Sequence, residues 1–359
     1  MFKRLISYLQ LSRDRFRRWL GLKLFDAGYS KQVKVGAPHK IVLLRWDAKW
    51  GDAIVSSFVF DAIRQTYPDA EIELVTTPQM ANLFRDYYEV DKVHEIKKRP
   101  TYSALKALAA ELSDVDVLVH LSPILKMKDL YFLRKVGAKA VAGLDDEVNL
   151  INLKLGEKTK GLHFSEKFIQ LLSAIGVESN AAKYSVPLNS DAQSTVEKLL
   201  ANKEKLQLVV FNPYGSGNSR KLNKTKIIQI IDDVLAFDSS TNIALLHTPD
   251  TEQEIQEICL SRDDERVFFN PSSKTIYDAI ALVSMADKVI SVDTAIIHIA
   301  SGLDKPLLGI YNPDEDNFAA WHPNSSNAIV LFAKKRNPPD ISALDLPKLN
   351  AAIQQLLEM

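Results

Sequence analysis

Asp287-Lys-Val-Ile-Ser-Val-Asp293-Thr294-Ala295-Ile-Ile-His298-Ile-Ala-Ser-Gly-Leu-Asp-Lys-Pro306-Leu-Leu-Gly-Ile-Tyr311 reads as a strand, a helix and a second strand in one run. Val289 to Val292 form a short buried apolar strand, Asp293 and Thr294 cap a helix that starts at once, and Pro306 to Tyr311 make the next strand. A helix that begins at the carboxyl end of a parallel strand points its free N–H groups and its positive dipole end into the crevice where α/β sheets bind ligands. Thr294 and His298 share one helical face beside those groups. An anion could be held there by backbone N–H groups, a hydroxyl and an imidazole. Taken alone, the segment fits as well with Asp293 as a simple N-cap and His298 as a packed core histidine.

The pattern continues on both sides. Strands are expected at Lys40 to Arg45, Glu71 to Thr76, Lys92 to Ile96, Asp116 to Leu121 and Ala138 to Gly143, with helices at Gly51 to Tyr67, Gln79 to Tyr87, Tyr102 to Leu112 and His163 to Ile175. After a polar joint from Val186 to Ser194 the alternation restarts, with strands at Leu206 to Phe211, Asn242 to His247, Val267 to Phe269, Lys288 to Val292 and Pro306 to Tyr311. Short apolar strands alternating with helices imply parallel sheets covered on both faces, and the restart implies two such domains facing across a ligand cleft. The expected division is an extension and linker over 1–38, a first domain over 39–188 and a second over 189–359.

Composition narrows the class of function. The 359 residues are 46% hydrophobic and 25% charged with a formal net charge of zero, which suits a globular protein and argues against nucleic acid as the main partner. A single cysteine, Cys259, excludes an intrachain disulfide and a cysteine-based zinc site, and suggests a reducing compartment, with cytoplasm as the default. No apolar run has the length of a membrane span, and the N-terminus lacks a secretory signal pattern. Residues 1–25 differ from the rest. Phe2, Leu5, Ile6, Leu9, Phe16, Leu20 and Leu24 recur at helical spacing among Lys3, Arg4, Arg13, Arg15, Arg17, Arg18 and Lys23, with Asp14 the only acid. Such a basic amphipathic helix suits an anionic membrane surface or a groove on its own protein.

Two loops at strand ends hold candidate chemistry. Arg45-Trp46-Asp47-Ala48-Lys49-Trp50-Gly51-Asp52 leads from the first strand into a helix, with Gly51 expected to permit the turn and Asp52 at the helix start. An aspartate there could cap the helix, bind a sugar hydroxyl or act as a base. Arg45, Lys49 and Gly51 line the same edge. The loop lacks both the Gly-x-Gly-x-x-Gly and the Gly-Lys-Ser/Thr fingerprints, which counts against a dinucleotide dehydrogenase or a P-loop enzyme. In the second half, Asn212-Pro213-Tyr214-Gly215-Ser216-Gly217-Asn218-Ser219-Arg220-Lys221 leaves its strand as a loop of small residues closing on two cations, able to wrap a diphosphate or to be a solvated turn. Asp114-Val115-Asp116, at a strand start, and Asp314-Glu315-Asp316, in an acidic loop, superficially suggest a metal site and are read as structural.

Together these stretches resemble glycosyltransferase family 9, the heptosyltransferases of lipopolysaccharide core assembly. The likeness rests on Lys40 to Leu74 with Gly51-Asp52 and Tyr67-Pro68-Asp69-Ala70-Glu71-Ile72, on Asn212-Pro213 with Arg220-Lys221, and on Ser291-Val292-Asp293-Thr294 through His298-Ile299-Ala300. Within the family the chain looks most like the transferases that add later core sugars, heptose or N-acetylglucosamine. The resemblance implies a GT-B fold of two Rossmann-like domains, with acceptor bound mainly by the first and nucleotide sugar by the second. It also implies an inverting reaction without metal or other cofactor. Asp52 matches the family's catalytic base, while Arg220 or Lys221, Asp293, Thr294, Ala295 and His298 match its donor site. Two departures are visible: the family's Asp-Thr-Gly is Asp293-Thr294-Ala295, and its Lys-Arg-Trp is Arg220-Lys221-Leu222, which leaves open which cation meets phosphate. The expected partners are ADP-heptose and a core acceptor at the inner face of the cytoplasmic membrane. UDP-N-acetylglucosamine is the alternative donor, and a non-catalytic binding protein of the same fold the alternative class.

Overall fold

The structure, a computed structural model, describes residues 2–28, 33–179 and 181–359, with side chains from Gln10 onward. Part of the expected linker, 29–32, and the side chains of Phe2, Lys3, Arg4, Leu5, Ile6 and Leu9 lie outside the described residues. The chain divides into two compact units. One comprises Met1–Lys49 and Ser56–Ala182, the other Trp50–Val55 and Lys183–Met359.

In chain order the first part runs α1 (Phe2–Phe25), β1 (Lys40–Arg45), α2 (Trp50–Val55), α3 (Phe58–Thr66), β2 (Glu71–Thr76), α4 (Pro78–Asn82), β3 (Lys92–Glu95), α5 (Tyr102–Glu111), β4 (Val117–His120), α6 (Met127–Val136), β5 (Ala140–Gly143), β6 (Leu153–Lys154) and α7 (Phe164–Ala174). Its sheet has the order β3-β2-β1-β4-β5-β6, all parallel. The second part runs α8 (Ser190–Ala201), β7 (Gln207–Asn212), α9 (Lys224–Phe237), β8 (Thr241–Leu245), α10 (Glu252–Arg262), β9 (Val267–Phe269), α11 (Ile276–Met285), β10 (Lys288–Val292), α12 (Ala295–Gly302), β11 (Leu307–Tyr311), α13 (Glu315–Trp321), β12 (Ala328–Phe332) and α14 (Leu346–Glu358). Its sheet is β12-β11-β10-β7-β8-β9, again parallel.

Each sheet is therefore the same doubly wound arrangement, in which the strand order reverses between the first and fourth strands. In one unit that switch point lies between β1 and β4, in the other between β7 and β10. Ligands of such sheets bind outside the carboxyl ends of those strands. The strands are apolar enough to be buried on both faces: Ile41, Val42 and Leu43 in β1 and Val289, Ile290 and Val292 in β10 are at most 1% exposed.

Several expectations are corrected. The helix expected over 51–67 is two, broken at the buried Ser56 and Ser57. The break lets α2 bury Ala53, Ile54 and Val55 in the second unit while α3 buries Phe58, Val59, Phe60 and Ile63 in the first. The joint expected to run to Ser194 ends at Asn189, whose side chain accepts from Ala192 N at 3.0 Å and caps α8. Helix α6 and strands β6 and β12, not anticipated, complete the sheets. Asp314 lies not in an open acidic loop but at the N-cap of α13, accepting from Asn317 N at 3.0 Å. Asp116 receives the N–H groups of His39 and Lys40 and the Lys139 ammonium, which ties β1 to β4 as a structural acid should.

The basic extension is helical and its carboxyl half docks on its own unit. Gly21 lets the helix approach α6, because a Cβ there would lie 2.9 Å from Met127 Cα. Phe25 meets Tyr131 edge-on at 5.3 Å, and the Arg18 guanidinium donates to both oxygens of Asp145, at 2.6 and 3.0 Å. Leu11, Phe16, Trp19 and Leu24 remain more than half exposed.

Candidate active site

The second unit's switch point is built from the ends of β7 and β10, which run side by side with Asn212 opposite Ser291. The Asn212 amide donates to Ser291 Oγ at 3.0 Å and to Thr294 Oγ1 at 2.9 Å, joining the two strand ends by one side chain. Thr294 is the N-cap of α12 and its hydroxyl also accepts from Ile296 N at 3.2 Å. This leaves Asp293 free of capping duty. Its carboxylate lies 3.3 Å from Arg220 Nη2 and accepts from Asn317 Nδ2 at 3.0 Å, while the same Arg220 nitrogen donates to Asn317 Oδ1 at 3.3 Å. Burial pushes the Asp293 carboxyl above the usual carboxylate range, against the opposing pull of Arg220 and the Asn317 amide.

The loop after β7 folds over this helix start. Gly215 N donates to Arg220 O at 2.8 Å, and a Cβ on Gly215 would meet Arg220 Cβ at 2.9 Å and Thr294 Cγ2 at 3.0 Å. Glycine at 215 is thus a packing requirement, and Gly217, at φ +86°, supplies the left-handed turn. Arg220 turns to Asp293, while the backbone of Lys221 pairs with that of Tyr214 and closes the loop.

Asp52 joins the same unit through α2. Gly51 is not the turn residue; the left-handed position is Ala48, at φ 57°. Gly51 instead allows α2 to lie against α12, since a Cβ there would sit 3.1 Å from His298 Cδ2 and 3.4 Å from Ala295 Cα. Trp50 anchors the other side, edge-on to Tyr277 at 5.4 Å. The half-buried Asp52 stands in the first turn of this helix. His298 is only 4% exposed, its ring 5.9 Å from Trp321 and 6.5 Å from Tyr184 as well as against Gly51. Its imidazole is buried in the first turns of α12, on the face that meets α2.

Gly51, Asp52, Arg220, Lys221, Asp293, Thr294, Ala295 and His298 therefore fall in one compact unit, while Arg45 and Lys49 belong to the other. Arg45 ends β1, is 8% exposed, lies 3.7 Å from Asp47 and 5.8 Å from the Phe168 ring centre, and its Nε and Nη2 find no hydrogen-bond partner among the described residues. Such a guanidinium is suited to an anion. Lys49 is exposed on the loop that follows. Asn317 was not foreseen. The only hint was its spacing of three from Asp314, a cap signal whose link to Asp293 depends on tertiary packing.

The sequence pattern of glycosyltransferase family 9 (heptosyltransferase) matches residues 126–348. An Escherichia coli K12 relative, provisionally named lipopolysaccharide heptosyltransferase 4, is 26% identical over 199 residues, which span 54% of this chain but only 52% of the relative. Lipopolysaccharide heptosyltransferase 3 of Escherichia coli is 22% identical over 342 residues, 86% of this chain and 96% of that protein. Among solved structures, a family 9 glycosyltransferase of Veillonella parvula superposes with a TM-score of 0.74 at 15% identity, covering 89% of this chain and 98% of that one. The ADP-heptose lipopolysaccharide heptosyltransferase II of Escherichia coli gives 0.67 at 16% identity, over 88% and 99%. These likenesses establish the fold as that of two Rossmann-like units of the GT-B class. Because the family pattern covers more than half of the chain, the protein belongs to glycosyltransferase family 9.

Proposed function

We propose that the protein transfers a heptose from ADP-heptose to a lipopolysaccharide core acceptor, with inversion at the anomeric carbon and without a metal ion. The observation that carries this reading is the seating of α2 on the start of α12, which brings Asp52 into the unit that holds the Asn212, Thr294, Asp293 and Arg220 cluster. Asp52 takes the proton from an acceptor hydroxyl as that oxygen attacks the anomeric carbon. The bond from that carbon to the diphosphate oxygen breaks, and its electron pair leaves on the diphosphate. Arg220 and the N–H groups of the first turn of α12 hold the charge that grows there. Asp293 keeps Arg220 aimed, and Ala295 shapes the floor beneath the nucleotide. Arg45, with its unmatched nitrogens, binds an anionic group of the acceptor.

The same reading gives α1 a peripheral contact with the cytoplasmic face of the inner membrane, supported by the exposed Phe16 and Trp19 among Arg13, Arg15, Arg17 and Lys23. Among the described residues no helix is long and apolar enough to cross a membrane.

Calorimetric titration without added metal, against ADP-heptose, UDP-N-acetylglucosamine and NADH, tests the donor. Binding of ADP-heptose alone is expected. UDP-N-acetylglucosamine binding in its place would replace the donor, and binding of neither would overturn the reading. Transfer assays on Asp52→Asn test the base.

A further inference from the structure

The first unit's switch point carries a different kind of site. A groove of about 1130 Å³ opens beside the carboxyl ends of β1, β3 and β4, and α1 forms one of its walls. Its lining brings together Arg17 of α1, Lys98 and Arg99 from the segment after β3, and Lys126 at the start of α6, with Trp46 and Tyr102 between them. The two carboxylates in the lining are engaged by their own neighbours. Asp14 accepts from Arg13 Nε at 3.1 Å and Nη2 at 3.0 Å, and Asp129 accepts from Lys126 N at 2.7 Å and lies 3.6 Å from His120 Nε2. Arg17, Lys98 and Arg99 have no carboxylate within ion-pair distance among the described residues. Elsewhere in this unit cations are matched: Lys40 meets Glu73 and Glu71, Arg18 meets Asp145 and Glu147, and Lys139 meets Asp116.

We propose that this groove binds a phosphorylated saccharide, and that α1 is present in this chain partly to complete it. Like charges gathered around one groove repel one another unless an anion is shared among them, and arginine forks match phosphate oxygens in pairs. The rings supply what a sugar needs besides charge. Tyr102 is 39% exposed, and Trp46 is held edge-on to His120 at 5.6 Å, so that the floor is rigid and amphipathic. The Lys128 ammonium donates to Pro100 O and lies 5.5 Å from the Tyr102 ring centre, tying the segment that carries Lys98 and Arg99 to α6. The site extends the acceptor half of the function proposed above: the acceptor would carry phosphate on a sugar near its reacting hydroxyl.

The test uses the full chain and three probes: glucose 1,6-bisphosphate, inorganic phosphate, and phosphatidylcholine vesicles containing phosphatidylglycerol. The bisphosphate is expected to bind saturably and more tightly than inorganic phosphate. The combined Arg17→Glu, Lys98→Glu and Arg99→Glu variant, altered only at exposed positions, should weaken it by about tenfold or more. A Leu11→Ser, Trp19→Ser variant, altered at exposed α1 positions outside the groove lining, should keep bisphosphate binding, which separates the groove from any lipid contact of α1. Equal binding of inorganic phosphate and bisphosphate, an unchanged charge-reversed variant, or cations that serve vesicle binding alone would each overturn the proposal. ADP-heptose titration of the charge-reversed variant, expected to match the parent, distinguishes failure of this groove from failure of the donor reading.

Discussion

Two buried carboxylates, one in each unit, have opposite environments. Glu73 of β2 is 1% exposed and meets two partners, Lys40 Nζ at 2.9 Å and His94 Nε2 at 2.6 Å. Burial alone would raise its pKa, but these hydrogen bonds outweigh that and hold it below the usual carboxylate range. Asp293, 7% exposed, has the amide of Asn317 and a more distant Arg220, and burial prevails. The first is a charge fully answered inside the structure, so its work is structural. The second is left under-compensated at a helix start, next to the buried Tyr311 hydroxyl, which has no hydrogen-bond partner among the described residues. Groups held in that state concentrate where ligands act.

Replacing Glu73 by Ala should be the most damaging change to stability, at about 3–5 kcal/mol, because it takes the closest partner from the buried His94 and leaves Lys40 with Glu71 alone. Urea unfolding would measure it, and a loss no larger than that of Asp293→Asn would end the contrast. Asp52→Asn should leave the fold and ADP-heptose affinity in place and lower kcat by about 10²–10⁴, the range for a lost general base. Near-normal turnover would remove Asp52 from the mechanism. Gly51→Ala places a methyl against His298 and Ala295, and overpacking there should destabilise by about 1–3 kcal/mol and raise the KM for donor. Asp293→Asn should change stability by less than about 1 kcal/mol, since Arg220 can turn to water, yet weaken nucleotide-sugar binding by roughly tenfold.

The pH dependence sharpens the same comparison with smaller effects. Glu73 has a depressed folded pKa, so its contribution is present above the ordinary carboxylate range and is lost as pH falls through the lowered value. Asp293 has a raised folded pKa. Its contribution is present below the ordinary range and is lost as pH rises through the raised value. In pH-dependent unfolding, Asp293→Asn should abolish the second trend and leave the first.

Much of the fold was legible because parallel sheets write themselves into sequence as short apolar runs separated by helices. Val267 to Phe269 and Lys288 to Val292 have the bounds read from the pattern, and Thr294 stands at the helix cap expected of the pair. Elements that depend on partners were less legible. Strand β6 is only Leu153–Lys154 and exists because Ala142 and Gly143 lie beside it, and α6, Met127–Val136, carries a pattern that α1 helps to bury. Residue types at the strand ends pointed to a candidate donor site, yet the pairing of Arg220 with Asp293 could be read only from the structure.

The sequence by itself determined the class of the protein: alternating buried strands, caps at the strand ends, and the motif order that marks family 9. These follow from local backbone preference and burial, which act over a few residues at a time. Tertiary structure decided that Gly51 serves a helix contact, that Asn317 supports Asp293, that His298 is buried against Gly51, and that Arg17 lines one groove with Lys98, Arg99 and Lys126. Each joins residues far apart in the chain, and distance and charge between such residues exist only once the sheets have formed.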